Sequence, residues 1–383
     1  MEETMKIGLM GFEFNSANKG CEALVYSFLN IIKDYLEINT EIYNFSGTQL
    51  GEVPSYFSNF VFINVEPKLK DLSFNYIKKL SKCDLIFDVT MGDSFSDIYS
   101  ESFYQGLIRH KRIAELVCKK YVLLPQTYGP FYSINSEKIA KKVFDKAYRI
   151  YCRDEISKKM LQNKFGITNS ILTSDMAFVL PYDKNSYKFS NKEKIGINVS
   201  GLLYRGGFHT ENQFGLSLVY SELIDKIIVN LSLKYEIHLI PHVIDLTEQP
   251  YDDDFKICRI LHEKYPNTIL APAFKTPIQA KSYISNMDIF IGSRMHSTIA
   301  SFSSGVVTIP ISYSRKFEGL FGSLDYPYVI NAKLENTDSA YALVMRYIEN
   351  RADLSESQKK SMQLIEDKNK VFKDSILSIL KEI

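Results

Sequence analysis

Residues 288–300 read Asp-Ile-Phe-Ile-Gly-Ser-Arg-Met-His-Ser-Thr-Ile-Ala, DIFIGSRMHSTIA. A short apolar run, residues 288–291, enters a Gly-Ser turn at Gly292 and Ser293. An apolar-periodic stretch over 295–303 follows, which predicts a buried strand, a tight turn and a helix. Strand–turn–helix is the repeating unit of a parallel α/β sheet. The same residues carry chemistry. Backbone N–H groups at a helix N-terminus favour an anion. Arg294 offers a planar fork matched to phosphate or carboxylate, and Ser293 lies beside it. His296 can exchange a proton near neutral pH. The plainer alternative is a strand-to-helix turn with a structural Arg–carboxylate pair.

Working outward, the unit recurs. Downstream, VVTIPI (306–311) is the next strand, and Tyr313, Arg315 and Lys316 follow it. Lys316 is a candidate for a second anionic group, or part of a solvated basic loop. Upstream, KIGINV (194–199) leads into a glycine-rich loop holding Arg205, and EIHLI (236–240) is ended by Pro241. Residues 268–270 form a further strand, with helices over 217–235, 253–264 and 276–285. The first half repeats the scheme with strands at 6–10, 40–45, 85–89, 121–124 (stopped by Pro125), 149–152 and 170–173. The polar stretch 181–194 reads as a linker, and 355–383 as a helical tail. The fold class is therefore α/β, two Rossmann-like domains facing across a cleft at the carboxyl ends of their strands. The expected domains are 1–182 and 190–350, with 351–383 a helical segment near the domain junction, crossing back to the first domain.

Composition narrows the function. The 46 Lys+Arg and 45 Asp+Glu leave a net charge of +1, so the basic excess of a nucleic-acid binder is missing. An anionic substrate must then be held by a few local cations. The 25 Phe and 25 Tyr, with no Trp, read as core and domain-interface packing. Five scattered Cys without a CxxC give no disulfide framework or zinc site and fit a reducing compartment. No metal or cofactor is expected. There is no secretory signal pattern and no apolar run of membrane-spanning length, so the expected location is cytoplasmic.

Other polar residues sit at strand ends. Asn18 and Glu22 lie in the first strand-to-helix loop, where neither a GxGxxG nor a P-loop is present. Glu22 equally suits ordinary first-turn helix chemistry. Asp93 and Asp97 follow the strand at 85–89 and suit a base or a sugar-hydroxyl partner. Gln126 and Tyr128 follow 121–124. Arg153 follows 149–152, with Asp154 a candidate N-cap.

The ordered series of motifs resembles the polysaccharide pyruvyl transferase family. It runs from Asn18-Lys19-Gly20-Cys21-Glu22-Ala23 through Gly92-Asp93 and Gln126-Thr127-Tyr128-Gly129-Pro130 to Arg153-Asp154-Glu155-Ile156-Ser157 and Asp175-Met176-Ala177. It closes on Gly292-Ser293-Arg294-Met295-His296-Ser297 and Tyr313-Ser314-Arg315-Lys316, over about residues 6–325. There are two departures from the family pattern: Cys21 replaces an acidic residue, and Thr90-Met91 stand in a Gly-Gly-Gly loop. The resemblance implies a GT-B-like fold and transfer of pyruvate from phosphoenolpyruvate to a sugar, oligosaccharide or lipid-linked glycan of a cell-surface polysaccharide. The products are a pyruvate ketal and phosphate. It implies acceptor binding by the first domain and donor binding by the second. Arg294 and Lys316 would hold the donor anion, with Arg205 and Arg153 as further cations and Tyr313, Ser293, Asn18 and Gln126 as binding residues. His296 would act as acid, and Asp93 or Glu22 as base. Lipid-linked acceptors would bring the protein peripherally to the inner face of the membrane. A nucleotide-sugar glycosyltransferase on the same fold, and a non-catalytic sugar- or anion-binding relative, are the alternatives.

Overall fold

Two strands that begin Lys-Ile-Gly, Lys6–Met10 (β1) and Lys194–Asn198 (β8), hold the same place in two parallel sheets. The structure is a computed structural model and describes residues 5–37, 40–46, 57–65, 74–207, 212–245 and 252–383. The first sheet adds Thr40–Asn44 (β2), Phe60–Asn64 (β3), Leu85–Asp88 (β4), Lys120–Gln126 (β5), Arg149–Cys152 (β6) and Ile171–Leu172 (β7), in the order β3-β2-β1-β4-β5-β6-β7. The second adds Glu236–Leu239 (β9), Ile269–Leu270 (β10), Ile289–Gly292 (β11), Val307–Ser312 (β12) and Ile330–Asn331 (β13), in the order β10-β9-β8-β11-β12-β13. Both begin with the 3-2-1-4-5-6 order of a doubly wound Rossmann sheet. Among the described residues all strand pairs are parallel, for example Ile7 opposite Ile42 and Leu85, and Ile195 opposite Ile237 and Ile289. Helices cover both faces of such sheets, which is why LIFD and IFIG are buried along their whole length.

The order reverses at β1/β4 in one sheet and at β8/β11 in the other. A ligand of an open α/β sheet binds at such a switch point, beyond the carboxyl ends of the strands.

The chain forms two compact units. The first comprises Met1–Asn15, Leu24–Met176 and Glu366–Ile383; the second comprises Ser16–Ala23 and Ala177–Ile365. Two short stretches thus fall with the half of the chain that is distant in sequence. The helix Arg351–Lys381 contributes Gln358 and Ser361 to the second unit. Its later residues serve the first, where Phe372 packs edge-on against Tyr151 and Ser375 bonds the Tyr151 hydroxyl at 2.6 Å.

Aromatic residues build both cores. In the first unit Phe95 packs against Tyr104, Tyr128, Phe131 and Phe144 at centroid distances of 5.1 to 6.3 Å. This anchors the loop that carries Asp93. In the second, Tyr283 meets Tyr187, Phe189 and Phe274.

The structure corrects three expectations. Residues 181–194 are not a free linker, because Tyr187 and Phe189 pack on Tyr283. Pro125 does not stop β5, which runs to Gln126; the β5–β6 register shifts between Leu123 and Gln126, and an irregularity of that kind tolerates a residue with no N–H. Strands β3 and β13 were not anticipated. Among the described residues, no helix is long and apolar enough to cross a membrane.

Candidate active site

At the switch point of the second sheet, β11 ends at Gly292 and the helix Met295–Ser303 begins three residues later. Arg294 occupies the N-cap position, with no side-chain cap of its own. The end of β8 supplies the order instead. Asn198 accepts the Arg294 N–H at 2.9 Å and the Ser297 hydroxyl at 3.0 Å, and its amide donates to the Ile240 carbonyl at 3.0 Å. One buried amide thereby joins the ends of β8, β9 and β11.

Asp254 is the second organiser. It is fully buried and accepts backbone N–H groups from Gly201 (2.8 Å), His242 (3.1 Å) and Val243 (3.0 Å). It also receives Arg294 Nη2 at 2.8 Å and Nε at 3.2 Å. The next carboxylate along this edge, Asp252, takes Nη1 at 3.2 Å and also Nη2. Burial opposes the guanidinium charge, but Asp254, then Asp252 and then Tyr313 offset that and hold its pKa well above the ordinary arginine value. Arg294 is therefore the centre of a carboxylate cluster, the alternative its sequence context had left open. Ser293 also turns inward: its hydroxyl shares a 2.7 Å hydrogen bond with the buried Tyr220 hydroxyl, which accepts the Ser200 N–H.

His296 lies half-buried in the first helical turn, against the segment Ser16–Ala23. A Cβ built on Gly20 would stand 2.3 Å from His296 Nδ1. That segment is fixed by an antiparallel bridge of Asn18 to Val243 and by the Lys19 N–H on the His242 carbonyl at 3.0 Å. The Asn18 side-chain oxygen accepts the Gly20 N–H at 3.0 Å, as an N-cap of the helix Lys19–Ile32 does. Glu22 is buried and paired with Lys19 at 2.9 Å, and Lys19 also donates to the carbonyls of Ser16 and Lys275.

His242 completes this corner. It is buried, and neither ring nitrogen has a hydrogen-bond partner among the described residues. Burial first, and then the charges of His296, Arg294 and Lys19, push its pKa well below the ordinary histidine value, so it is neutral at pH 7. Tyr313 is buried against Phe214 and Phe317, Lys316 is half-buried in the first turn of Arg315–Gly322, and Arg205 is exposed at the end of Gly201–Tyr204.

The remaining candidates belong to the first unit, at the carboxyl ends of β4, β5 and β6. Arg153 is buried and pairs with Asp175 at 2.8 Å and with the Thr127 hydroxyl at 3.0 Å. Asp154 caps the helix Glu155–Phe165 through the Ser157 N–H, as its position suggested. Gln126 is fully buried and donates to the Asp88 carbonyl at 3.2 Å. Asp97 caps the backbone at Tyr132 and Ser133. Asp93 is half-buried and accepts the Tyr99 hydroxyl at 3.2 Å. Its loop turns through Thr90, Met91 and Gly92 at φ of 42°, 53° and 85°. Three successive left-handed residues are what a glycine triplet would adopt freely. Thr90 is held there because its N–H and hydroxyl both donate to Asp88 Oδ1, at 2.9 and 3.0 Å.

Sequence reasoning missed Asn198, Asp254 and Lys19 and gave His242 no role. The available signal was the triplet 252–254, three aspartates where one N-cap suffices. Asp253 alone caps the helix, donated to by Phe255 and Lys256.

Known structures share this architecture. Anabaena HepE, solved with UDP and glucose, superposes with a TM-score of 0.61 at 10% identity, covering 100% of both chains. The UDP-GlcNAc 2-epimerase of Neisseria meningitidis, solved with UDP-GlcNAc, gives 0.59 at 11% identity, covering 98% of this chain and 100% of its own. Staphylococcus aureus MnaA, solved with UDP, gives 0.55 at 12% identity, covering 94% and 91%. At such identities the likeness establishes the fold, which is GT-B-like with two Rossmann-like domains. No curated protein matches the sequence significantly. The profile of the family described as polysaccharide pyruvyl transferase matches residues 18–315, from the Asn18 cap to Arg315 beyond β12. With a match over that much of its length, the chain belongs to the polysaccharide pyruvyl transferase family and is an enzyme of the pyruvyl-transfer type.

Proposed function

We propose that the protein transfers the pyruvyl group of phosphoenolpyruvate to a sugar of a cell-surface polysaccharide or its precursor. Two sugar hydroxyls end as the two ketal oxygens. Of the two protons they release, one balances protonation of the methylene carbon and the other leaves with phosphate. The observation that supports the donor half is the corner around buried His242, whose carbonyl accepts the Lys19 N–H and whose N–H shares Asp254 with the Arg294 guanidinium. Fixed cations of this kind suit a small ligand with both a phosphate and a carboxylate. His296, half-buried on a helix N-terminus, serves as the acid. Glu22 and Asp93 are the base candidates, Glu22 through its pair with Lys19 and Asp93 as a half-buried carboxylate of the first unit. The second unit takes the donor, with Lys316, Tyr313 and Arg205 at its rim, and the first takes the acceptor. The enzyme works in the cytoplasm, at the inner face of the membrane where its acceptor is lipid-linked.

A thermal-shift titration tests the donor. Phosphoenolpyruvate at 100 times its Kd should add about 2.7 kcal/mol of stability. The shift should persist in His296→Ala, while phosphate release in the presence of glycan acceptors falls by about 10²-fold or more. A shift with UDP-sugars and none with phosphoenolpyruvate would replace this reading with glycosyl transfer.

A further inference from the structure

Both bidentate edges of the Arg294 guanidinium are occupied by carboxylates, and the two carboxylates differ in kind. Asp254 takes Nε and Nη2, is fully buried, and is itself held by three backbone N–H groups. Removing it would strand a buried cation and three buried donors. Asp252 takes Nη1 and Nη2, its side chain is 26% exposed, and among the described residues its carboxylate bonds to Arg294 alone. Asp254 is therefore fixed, whereas Asp252 can swing to water and lose one partner that any other carboxylate would replace.

We infer that Asp252 is an internal stand-in for a ligand carboxylate: it occupies the outward edge of Arg294, and a substrate carboxylate binds by exchanging with it. The exchange keeps the guanidinium paired at every stage, so no uncompensated buried charge arises, which would be costly. It also sets selectivity. A planar carboxylate matches the vacated fork in shape and charge, and a neutral group does not. The cost is a competitor always present, so apparent affinity falls by the fraction of molecules in which the edge is open. That tethered competitor also keeps Arg294 paired when no substrate is bound. This assignment rests on the reading that the ligand is phosphoenolpyruvate only for the ligand's name; the exchange itself concerns any small carboxylate.

The experiment compares the full chain with Asp252→Asn and Asp253→Asn by calorimetric titration of phosphoenolpyruvate and of pyruvate. Asp253→Asn removes the same charge one residue away, and asparagine keeps the helix cap. Asp252→Asn should bind both ligands about tenfold more tightly, and Asp253→Asn should stay within about twofold of the parent. Equal gains in the two variants would reduce the effect to general charge and overturn the proposal. So would unchanged or weaker binding in Asp252→Asn, or no binding of either ligand to any of the three proteins. The functional reading fails separately: tighter phosphoenolpyruvate binding in Asp252→Asn, with no phosphate released to any acceptor, keeps the exchange and removes the transfer reaction. Turnover of phosphoenolpyruvate with no effect of Asp252→Asn does the reverse.

Discussion

Gly20 and His296 are in direct contact, and the contact leaves no room for a side chain on Gly20. A Cβ there would lie 2.3 Å from His296 Nδ1 and 2.7 Å from His296 Cβ and Cγ. The ring end could rotate away; the Cβ could move only with the helix. Gly20→Ala should therefore displace His296, lowering pyruvyl transfer by about 10²-fold, the cost of roughly an ångström of misplacement. Stability should fall by about 1–3 kcal/mol from overpacking. Gly106→Ala is the control, since nothing lies within 4 Å of its added Cβ. It should leave activity intact and gain about 0.5–1 kcal/mol from helix propensity. Equal activities in the two variants would remove His296 placement from the explanation.

Asp254 should matter to stability more than its family of contacts suggests at first sight. Asp254→Asn weakens a buried ion pair from one side and leaves Arg294 with Asp252 only. A loss of about 3–5 kcal/mol is expected in urea unfolding, the range for breaking a buried pair. A loss below about 1 kcal/mol would show that Arg294 is not anchored through Asp254.

The first unit holds a comparable buried pair. Lys111 is sealed in the core and donates to Asp88, which also receives the Tyr121 hydroxyl. The other oxygen of Asp88 holds Thr90 in its left-handed turn. Lys111→Met should cost about 3–5 kcal/mol and disturb the Asp93 loop. Lys111→Met combined with Asp88→Asn should recover part of that loss, because no unpaired charge remains. Failure of the double variant to recover any stability would argue that packing, not charge, is decisive there.

Lys281 predicts a pH dependence. It is buried, donates to the carbonyls of Phe178 (3.2 Å) and Leu180 (2.8 Å), and lies 5.2 Å from the Tyr182 ring centroid. Burial pushes its pKa down to about 7, from the usual 10.5. Between those values the unfolded chain holds a proton that the native protein has released, so stability rises with pH over that window. The slope should approach about 1.4 kcal/mol per pH unit between pH 8 and 10. Lys281→Met should flatten it. The check is the difference in urea midpoint between variant and parent at pH 7 and pH 9. An unchanged difference would mean that Lys281 stays protonated in the fold.

Much of this was readable from residues alone, for physical reasons. Buried parallel strands must be apolar throughout, so LIFD, IFIG and the two Lys-Ile-Gly strands announced themselves. The short edge pair Ile330–Asn331 did not, having only two residues. The strand-to-helix turn at Gly292 was legible as a candidate site; its wiring was not. The residue that fixes Arg294 lies forty positions away, and nothing local distinguishes Asp254 from its two aspartate neighbours. Asn18 is a different case: an Asn before a helix is first a cap, and its side-chain oxygen accepts the Gly20 N–H.

Membership of Ser16–Ala23 in the second unit has a consequence for synthesis. This segment is made well before its bridge partner Val243, and the unit it joins ends at Ile365. At about 5–20 residues per second the ribosome needs on the order of tens of seconds to finish that unit. The nascent chain must carry the segment undocked until its partners are made, so a loop synthesised long before them docks late. Residues 177–365 expressed alone would emerge with His296 uncovered and the Val243 edge open.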